Sequence, residues 1–424
     1  MSTTSNVLGY RCAVCAAEVD ISAASPWRCP GATAADRHHV LRIVRGLAPF
    51  RPVDDPDPFV AFGAELAWQA FALSHGMTEE AARALVGQVG ERIAAVGGIG
   101  LRVTPFDRAD RLSNALEFTE DGGVWVKDET GNVAGSHKAR HLLSILLHIK
   151  AAETLGVGGR ESRLAIASCG NAALAAATLA AADRRELEVF VPPWADPVVV
   201  EALQRLRAEV TICPRRDDDP PGDPCVHRFR EAVTTGAVPF GVQGPENALA
   251  LDGGRTLGWE MSEVLGPTLD RVFVQVGGGA LAACVGRGFA DAGLHPRLHA
   301  VQAAGCAPLA RAREQAARLP RGAAGAHWDE CMWAWEDEPT SAADGILDDE
   351  TYDWLGVLEA IDGGGGSVVV APEMAIVEAH DLGVAATGIP VSATGTAGLA
   401  GLLAIREQVA DDERVAVIFS GVER

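Results

Sequence analysis

A lysine lies where a strand-like segment gives way to an apolar, helix-like one. The segment "VWVKDE" (124–129) is followed by turn-forming residues, then by Ser136-His137-Lys138 and a long apolar run. The first turn of a helix is the positive end of its dipole and disfavours the ammonium form of a lysine. A neutral amine is the nucleophile that forms a Schiff base with a carbonyl group. Lys138 is therefore a candidate nucleophile, although an ordinary solvated helix lysine has the same local pattern.

The segment "SCGNAALA" has the composition of an anion-binding helix start. It lies at the end of the strand-like run "RLAIASC". Its candidate residues are Ser168, Cys169, Gly170 and Asn171. Small side chains and free backbone N–H groups at such a position bind carboxylates or phosphates. An ordinary helix cap by Asn171 is the alternative.

A second candidate anion site follows the strand-like run "RVFVQV". Its residues, which allow close backbone approach to an anion, are Gly277, Gly278, Gly279 and Ala280. The segment also matches the GxGxxA pattern of dinucleotide-binding folds. Those folds place an acidic residue at the end of the next strand to hold a ribose, whereas this chain has Gln302 there. A phosphate-binding loop is thus favoured over a nicotinamide site.

The last strand-like run, "RVAVIFSG", ends in Ser420, which would cap a turn or bind a heterocyclic nitrogen. Together with Lys138 and the two candidate anion sites, the chain then offers a nucleophilic amine, a carboxylate site, a phosphate site and a neutral hydroxyl. A cofactor that has an aldehyde, a phosphate and a ring nitrogen uses all four. That cofactor is pyridoxal 5'-phosphate (PLP), whose ring is an electron sink.

The elements that must position these residues alternate between strands and helices. After about residue 100, short Val/Ile-rich runs are each followed by a run with helical spacing, which predicts right-handed crossovers and parallel sheets. The amount of chain predicts two open, mostly parallel α/β domains. Residues 36–100 are predicted to be helical, with a cap at Thr78 and an end at Gly97-Gly98.

Charge and composition exclude several partners. The chain has 424 residues, a net charge of −21 and a pI near 4.9. Such a surface repels nucleic acids and anionic membranes, so neither is an expected partner. The N-terminal residues "MSTTSNVLGYRC" do not resemble a signal peptide, and nine scattered cysteines do not indicate a disulfide framework. We therefore expect a cytoplasmic protein.

Three cysteines near the N-terminus are candidate metal ligands. They are Cys12, Cys15 and Cys29, but position 32, where a second knuckle would place the fourth ligand, is Ala32. His38 or His39 could substitute, although both lie further along the chain. The expectation is that no metal is bound, with less than one zinc per chain, and that this ribbon-like segment is held by packing.

Several of these segments together resemble the fold-type II PLP enzymes: threonine synthase, the threonine and serine dehydratases and the cysteine synthase group. Thr104-Pro105 is similar to the family's "TPL", "VKDETGNVAGSHKAR" to "KxE…PTGSFKxR" and "SCGNA" to "SSGNx". "VGGGALAA" is similar to "GGGGL", and "FSGVER" to "LTGHG" or "LSGGN". The motifs occur in the family's order from about residue 100 to the C-terminus. The cysteine-bearing N-terminus favours the threonine synthase branch, in which ribbon-like extensions occur.

The resemblance implies roles for the candidate residues. Lys138 would be the Schiff-base lysine and the base at the substrate Cα, and Ser168–Asn171 would hold the substrate carboxylate, with Asn171 also reaching the cofactor's 3-oxygen. Gly277–Ala280 would bind the cofactor phosphate and Ser420 the pyridine nitrogen. His137 replaces the usual phenylalanine that packs against the cofactor, and we expect packing rather than acid–base chemistry from it.

The resemblance also implies a domain division and an activity. Residues 1–40 would be a zinc-ribbon-like extension, 41–137 a helical region with the first part of the large PLP domain, 138–250 the small α/β domain, and 251–424 the rest of the large domain. The expected protein is a homodimeric PLP-dependent lyase that is threonine-synthase-like and acts on O-phosphohomoserine or a similar activated amino acid. The alternatives are a threonine or serine dehydratase, or another PLP enzyme of β-elimination or β-replacement, and a non-catalytic relative that binds PLP or an amino acid.

Overall fold

The computed structural model describes residues 5–33, 36–158, 163–220 and 222–424. Contacts group this part of the chain into two compact units. Unit 1 comprises the residues up to Arg102 together with Asn132–Gly253, and unit 2 comprises Val103–Gly131 together with Gly254–Arg424. The domain boundaries given above, after residues 40, 137 and 250, stay predictions.

The strands of the described residues are, in chain order, β1 Val7–Cys12, β2 Glu18–Asp20, β3 Leu41–Arg45, β4 Phe106–Arg108, β5 Gly123–Asp128, β6 Arg163–Ala167, β7 Glu186–Val191, β8 Glu209–Ile212, β9 Val238–Pro239, β10 Arg271–Gln275, β11 Arg297–Ala303, β12 Ser367–Ala371 and β13 Arg414–Phe419.

The α-helices of the same residues are α1 Pro58–Ala61, α2 Ala67–Ser74, α3 Glu79–Gly97, α4 Asp110–Ala115, α5 Lys138–Leu155, α6 Asn171–Asp183, α7 Pro197–Arg205, α8 Pro224–Thr234, α9 Ala250–Gly253, α10 Thr256–Leu265, α11 Ala280–Asp291, α12 Pro308–Ala316, α13 Trp328–Cys331, α14 Trp354–Gly364, α15 Glu373–Thr387 and α16 Ala393–Ala404.

The described residues of unit 1 form two sheets. A four-stranded parallel sheet has the order β8-β7-β6-β9, and a three-stranded antiparallel sheet near the N-terminus has the order β2-β1-β3. Helix α5 packs against α2, α6 and α9, and all but a few of its residues are buried. Burial on almost every side explains why this helix is apolar around its circumference rather than along one stripe.

Unit 2 is built on one six-stranded sheet with the order β12-β11-β10-β13-β5-β4, in which only β4 runs antiparallel to its neighbour. Strand β10 is buried along its whole length, as expected for a central strand of a sheet covered on both faces. Because the carboxyl ends of parallel strands meet at one edge, the loops after β10 and β13 lie side by side. The predicted class, open and mostly parallel α/β sheets, is confirmed.

The predicted helical region between residues 36 and 100 is only partly helical. Leu41–Arg45 forms strand β3 and pairs antiparallel with β1, and helices begin only at Pro58. The sequence "LRIVR" is short and rich in branched residues, which suits a pleated strand better than a helix turn. The predicted cap is confirmed, since the Thr78 side chain accepts a hydrogen bond from Ala81 N, and α3 ends at Gly97 with Gly98 in the left-handed conformation. No helix in the described part of the chain is both long and apolar enough to cross a membrane.

Candidate active site

The chain contains three lysines, and their surroundings differ sharply. Lys127 is completely buried in unit 2, where its Nζ contacts the carboxylate of Glu260. Lys150 is in the fourth turn of α5 and forms ion pairs with Glu153 (3.1 Å) and Asp183 (3.3 Å). Lys138 is the first residue of α5 and is half-buried. Lys138 therefore stays the predicted Schiff-base lysine, and its place at the start of a helix is the feature on which that prediction depends.

A tight turn precedes Lys138. Ala134 and Gly135 both have positive φ angles, 53° and 67°. The left-handed conformation costs an alanine about 1–2 kcal/mol, so the turn is held by its surroundings rather than by local preference. The side chain of Ser136 accepts a hydrogen bond from Lys138 N at 3.4 Å. The turn of residues 133–135 also packs against α6.

His137, the N-cap of α5, and His141 in its first turn form a buried hydrogen-bonded pair. His141 Nδ1 donates to the carbonyl oxygen of Ala250 at 2.8 Å, which leaves its Nε2 as an acceptor for His137 Nδ1 at 3.2 Å. Burial, reinforced by the positive charges of Lys138 and Arg140, holds the pKa of His137 well below its usual range. His137 is therefore a neutral ring at physiological pH, and its expected packing role stays a prediction.

Replacing His137 by phenylalanine tests that role. The variant should keep turnover within a few-fold of the parent and leave the pH dependence of kcat unchanged, because the neutral ring transfers no proton. It should lower the free energy of unfolding by about 1–3 kcal/mol, since His141 loses its buried partner. Denaturant unfolding and a pH–rate profile measure the two effects. A shifted pH profile would instead assign His137 to proton transfer.

The predicted carboxylate cradle follows β6 in unit 1. Gly170, not Asn171, is the N-cap of α6, and Asn171 is the first helical residue, so the simple capping alternative for Asn171 does not apply. Gly170 N donates to Ser168 Oγ at 3.4 Å, and Cys169 is exposed. The first-turn N–H groups of a helix have no intrahelical acceptor, which leaves them able to bind an anion.

The glycine loop follows β10 in unit 2 and precedes α11, with Gly279 as the N-cap at φ 94°. A Cβ on Gly277 would lie 2.2 Å from Asp348 Oδ2, and one on Gly279 would lie 2.8 Å from Thr351 Cγ2. A Cβ on Gly278 would be 3.1 Å from the Tyr352 ring. The glycines therefore also make room for the protein's own segment 346–353, a reason that the sequence did not reveal.

Ser420 follows β13 and is held by Gln275 at the end of β10. Gln275 Nε2 donates to the carbonyl oxygens of Gly395 (2.9 Å) and Ile418 (3.1 Å) and lies 2.6 Å from Ser420 Oγ. Because carbonyl oxygens only accept, the amide nitrogen must face them, and Ser420 Oγ is the acceptor in its own contact. The Ser420 hydroxyl hydrogen is thus left for donation to another group.

The three N-terminal cysteines meet a histidine in unit 1. Donor atoms of Cys12, Cys15, Cys29 and His39 all lie within 4.8 Å of one another. The sequence named His39 only as one of two substitutes for a missing fourth ligand, and His38 is not part of the group.

The structure thus brings the predicted residues together within each unit. In unit 1, Lys138 and His137 lie at the start of α5, and Ser168–Asn171 lies at the start of α6. In unit 2, the loop Gly277–Ala280 and Ser420 lie at the same edge of the sheet. Sequence reasoning missed Gln275, for which the signal was a polar residue directly after the apolar centre of a buried strand.

The comparison with protein families identifies the chain. The family model for pyridoxal-phosphate dependent enzymes matches residues 99–421. The chain belongs to this family. The match begins near the predicted start of the resemblance and confirms a fold-type II PLP enzyme, with PLP as the family's cofactor. It does not select the threonine synthase branch.

Similar proteins include several amino-acid enzymes. The L-threonine dehydratase of Haemophilus influenzae is 27% identical over 184 residues, which cover 43% of this chain and 33% of that protein. The chain thus matches only about a third of the length of this curated relative. Among solved structures, a threonine deaminase from T.th. is 22% identical with a TM-score of 0.61, covering 80% of this chain and 98% of the other. Maize serine racemase is 19% identical with a TM-score of 0.59, covering 80% and 93%. These two structures show that the fold is shared.

Each unit, taken by itself, contains groups of the kind that suit part of PLP. The glycine loop and the first turn of α11 supply backbone N–H donors for a phosphate. Ser420 supplies a neutral donor whose orientation Gln275 determines. Lys138 supplies an amine at the start of a helix, whereas Lys127 is buried against a carboxylate and Lys150 lies near the far end of α5.

Proposed function

We propose that this protein is a PLP-dependent amino-acid lyase that eliminates the β-hydroxyl group of serine or threonine. The observation that carries the proposal is the position of Lys138 at the start of α5 in a chain with only two other lysines. The similar proteins named above include a threonine dehydratase and a threonine deaminase, which supports elimination over transamination.

In this proposal Lys138 binds the cofactor and moves the protons. Bound PLP would supply an electron sink for the substrate Cα. Lys138 Nζ removes the Cα proton and delivers a proton to the departing hydroxyl group, for which one amine that alternates between charged and neutral forms is sufficient. The neutral ring of His137, the preceding residue, adds no second positive charge next to the Lys138 amine.

The two helix starts are proposed to hold the anionic groups. Ser168, Cys169, Gly170 and Asn171 would bind the substrate carboxylate, and Asn171 would also contact the cofactor's 3-oxygen. Gly277, Gly278, Gly279 and Ala280 would bind the cofactor phosphate. The net charge of −21 makes such local backbone sites necessary, because the general surface potential repels anions.

Ser420 is proposed to donate to the ring nitrogen of the cofactor. A hydroxyl shares its proton without giving it up, so the nitrogen stays largely neutral, whereas a carboxylate would favour its protonation. A neutral ring is a weaker electron sink and favours prompt loss of a leaving group. Gln275 supports this role because it occupies the acceptor side of the Ser420 hydroxyl.

The threonine-synthase-like activity stays the second candidate. The cysteine-bearing extension at the N-terminus, with its three thiols and His39 in one group, is the feature that favours it. That activity needs an additional site for the substrate phosphate. The predicted homodimer and the predicted cytoplasmic location remain predictions as well.

A product assay distinguishes the candidates. The purified protein loaded with PLP should convert L-serine or L-threonine to the corresponding 2-oxo acid and ammonia, with little phosphate released from O-phosphohomoserine. If O-phosphohomoserine instead releases phosphate and forms threonine, the threonine-synthase-like activity is the correct one and the dehydratase proposal is wrong. Binding of PLP without turnover of any of the three would support the non-catalytic alternative.

A further inference from the structure

The four donors near the N-terminus have the spacing of a tetrahedral metal site. Cys12 Sγ lies 3.4 Å from His39 Nδ1, and Cys15 Sγ lies 3.4 Å from Cys29 Sγ. Ligands at the usual Zn–S and Zn–N distances on a tetrahedron are about 3.5–3.8 Å apart. These two separations are close to the tetrahedral values, and all four donor atoms lie within 4.8 Å of one another, so the group can close around a zinc ion once the wider pairs move together.

The backbone around the cysteines is arranged to stabilise thiolates. Val14 N donates to Cys12 Sγ at 3.4 Å, and Gly31 N donates to Cys29 Sγ at 3.3 Å. Each bond joins a cysteine to the N–H group two residues later, so the two turns are equivalent although the second lacks its second cysteine. Hydrogen bonds of this kind favour the charged form of a sulfur ligand.

Gly31 lets the donors converge. A Cβ at this position would lie 3.1 Å from Cys15 Sγ, 3.4 Å from His39 Cε1 and 3.5 Å from Cys29 Sγ. A side chain here would crowd three of the four donor residues at once. This close approach is an observation independent of the donor distances, and it explains the glycine without any need for positive φ.

His39 is oriented by a neighbour. Its Nε2 lies 3.3 Å from Asp36 Oδ2, while its Nδ1 faces Cys12 Sγ. Metal-binding histidines usually donate their second ring N–H to a carboxylate, which fixes the tautomer and makes the other nitrogen a better ligand. Asp36 and His39 have that relation here, and the imidazole is buried.

We propose that Cys12, Cys15, Cys29 and His39 bind one structural zinc ion. Three thiolates and one imidazole suit zinc, and four protein ligands leave no open position for a substrate. This inference is independent of the proposed lyase activity. It replaces the expectation from the sequence, which found Ala32 at the position of the fourth ligand and left His38 and His39 only as distant substitutes.

The ion would fix the loop of residues 16–28 on the lysine-bearing helix. The Ala24 carbonyl accepts a hydrogen bond from His148 of α5 at 2.9 Å, and the Trp27 ring packs edge-on against His148 with a centroid distance of 5.4 Å. Ala248 N donates to the Trp27 carbonyl at 2.9 Å. Cys15 and Cys29 flank this loop, so a shared ion closes it and lowers its conformational freedom.

Metal content tests the ligand set. The PLP-loaded protein, purified without added metal, should contain about one zinc per chain by mass spectrometry of the metals. His39→Ala and Cys12→Ser should lose most of it, whereas the matched control His38→Ala should keep it. The proposal would be overturned if the parent protein contained no zinc. It would also be overturned if the parent contained another metal or a Cys15–Cys29 disulfide in place of zinc. Loss from His38→Ala with retention in His39→Ala would overturn the assignment of His39.

Two measurements on the unaltered chain remain decisive if the variants fail to fold. X-ray absorption at the zinc edge should show three sulfur ligands at about 2.3 Å and one nitrogen at about 2.0 Å, and a shell of nitrogen and oxygen only would contradict the site. Removal of the metal by a chelator should increase hydrogen exchange severalfold within residues 16–28. Unchanged exchange after verified zinc loss would refute the role in fixing the loop.

Discussion

Replacing Lys138 by alanine should lower kcat by about a thousandfold or more with the best substrate. One side chain is proposed to carry the cofactor and to act as the base and acid, and proton transfer by a positioned group alone contributes about 10²–10⁴-fold. Steady-state rates measured at saturating PLP give the effect. The visible absorbance of the covalently bound cofactor should be lost in the same variant.

Lys150→Ala is the matched control, because Lys150 belongs to the same helix. Twelve residues separate the two lysines, which is about 18 Å along a helix. Lys150 is partly exposed and forms ion pairs with Glu153 and Asp183, and replacing it by alanine should leave turnover near the parent value. Borohydride reduction of the parent followed by peptide mapping should attach the cofactor to Lys138. Cofactor on Lys127 or Lys150, or normal turnover in Lys138→Ala, would contradict the assignment.

Replacing Lys127 by methionine should lower the free energy of unfolding by about 3–5 kcal/mol, the usual cost of leaving one partner of a buried ion pair uncompensated. Lys127 is fully buried, contacts the Glu260 carboxylate and donates to the Thr104 carbonyl oxygen at 2.6 Å. The Thr104 hydroxyl in turn donates to Glu129, which is also fully buried. Methionine matches the length of the stem but removes the ammonium group that faces the buried Glu260 carboxylate.

Chemical denaturation of the parent and the variant measures this effect. Lys150→Met is the control, because a partly exposed ion pair contributes about 0–1 kcal/mol. The double variant Lys127→Met with Glu260→Met should recover much of the lost stability, since a buried pair replaced by apolar groups is often neutral. An unfolding midpoint for Lys127→Met equal to that of the parent would show that the pair contributes nothing to stability.

The local pattern of the sequence determined the elements that carry the candidate residues. Branched runs and helical spacing predicted the strand before Lys138, the helix that begins there and the strand–helix pairs around Gly170 and Gly279. Those properties depend on neighbours within a few residues, so they can be read from one segment at a time. The error at Leu41–Arg45 was to include a short run of branched residues in a long helical region, and the strand became evident only from its pairing with the distant β1.

Only the tertiary structure decided which groups meet. Gln275 and Ser420 are 145 residues apart, Lys127 and Glu260 are 133 apart, and Cys12 and His39 are 27 apart. The sequence shows that β13 is a strand but not that it lies between β10 and β5, which is what brings Ser420 to Gln275. Strand order results from the packing of the whole sheet, in which helices on both faces must bury their apolar sides together. No single segment contains that information, and therefore the partners of Ser420, Lys127 and His39 emerge only when the chain is folded.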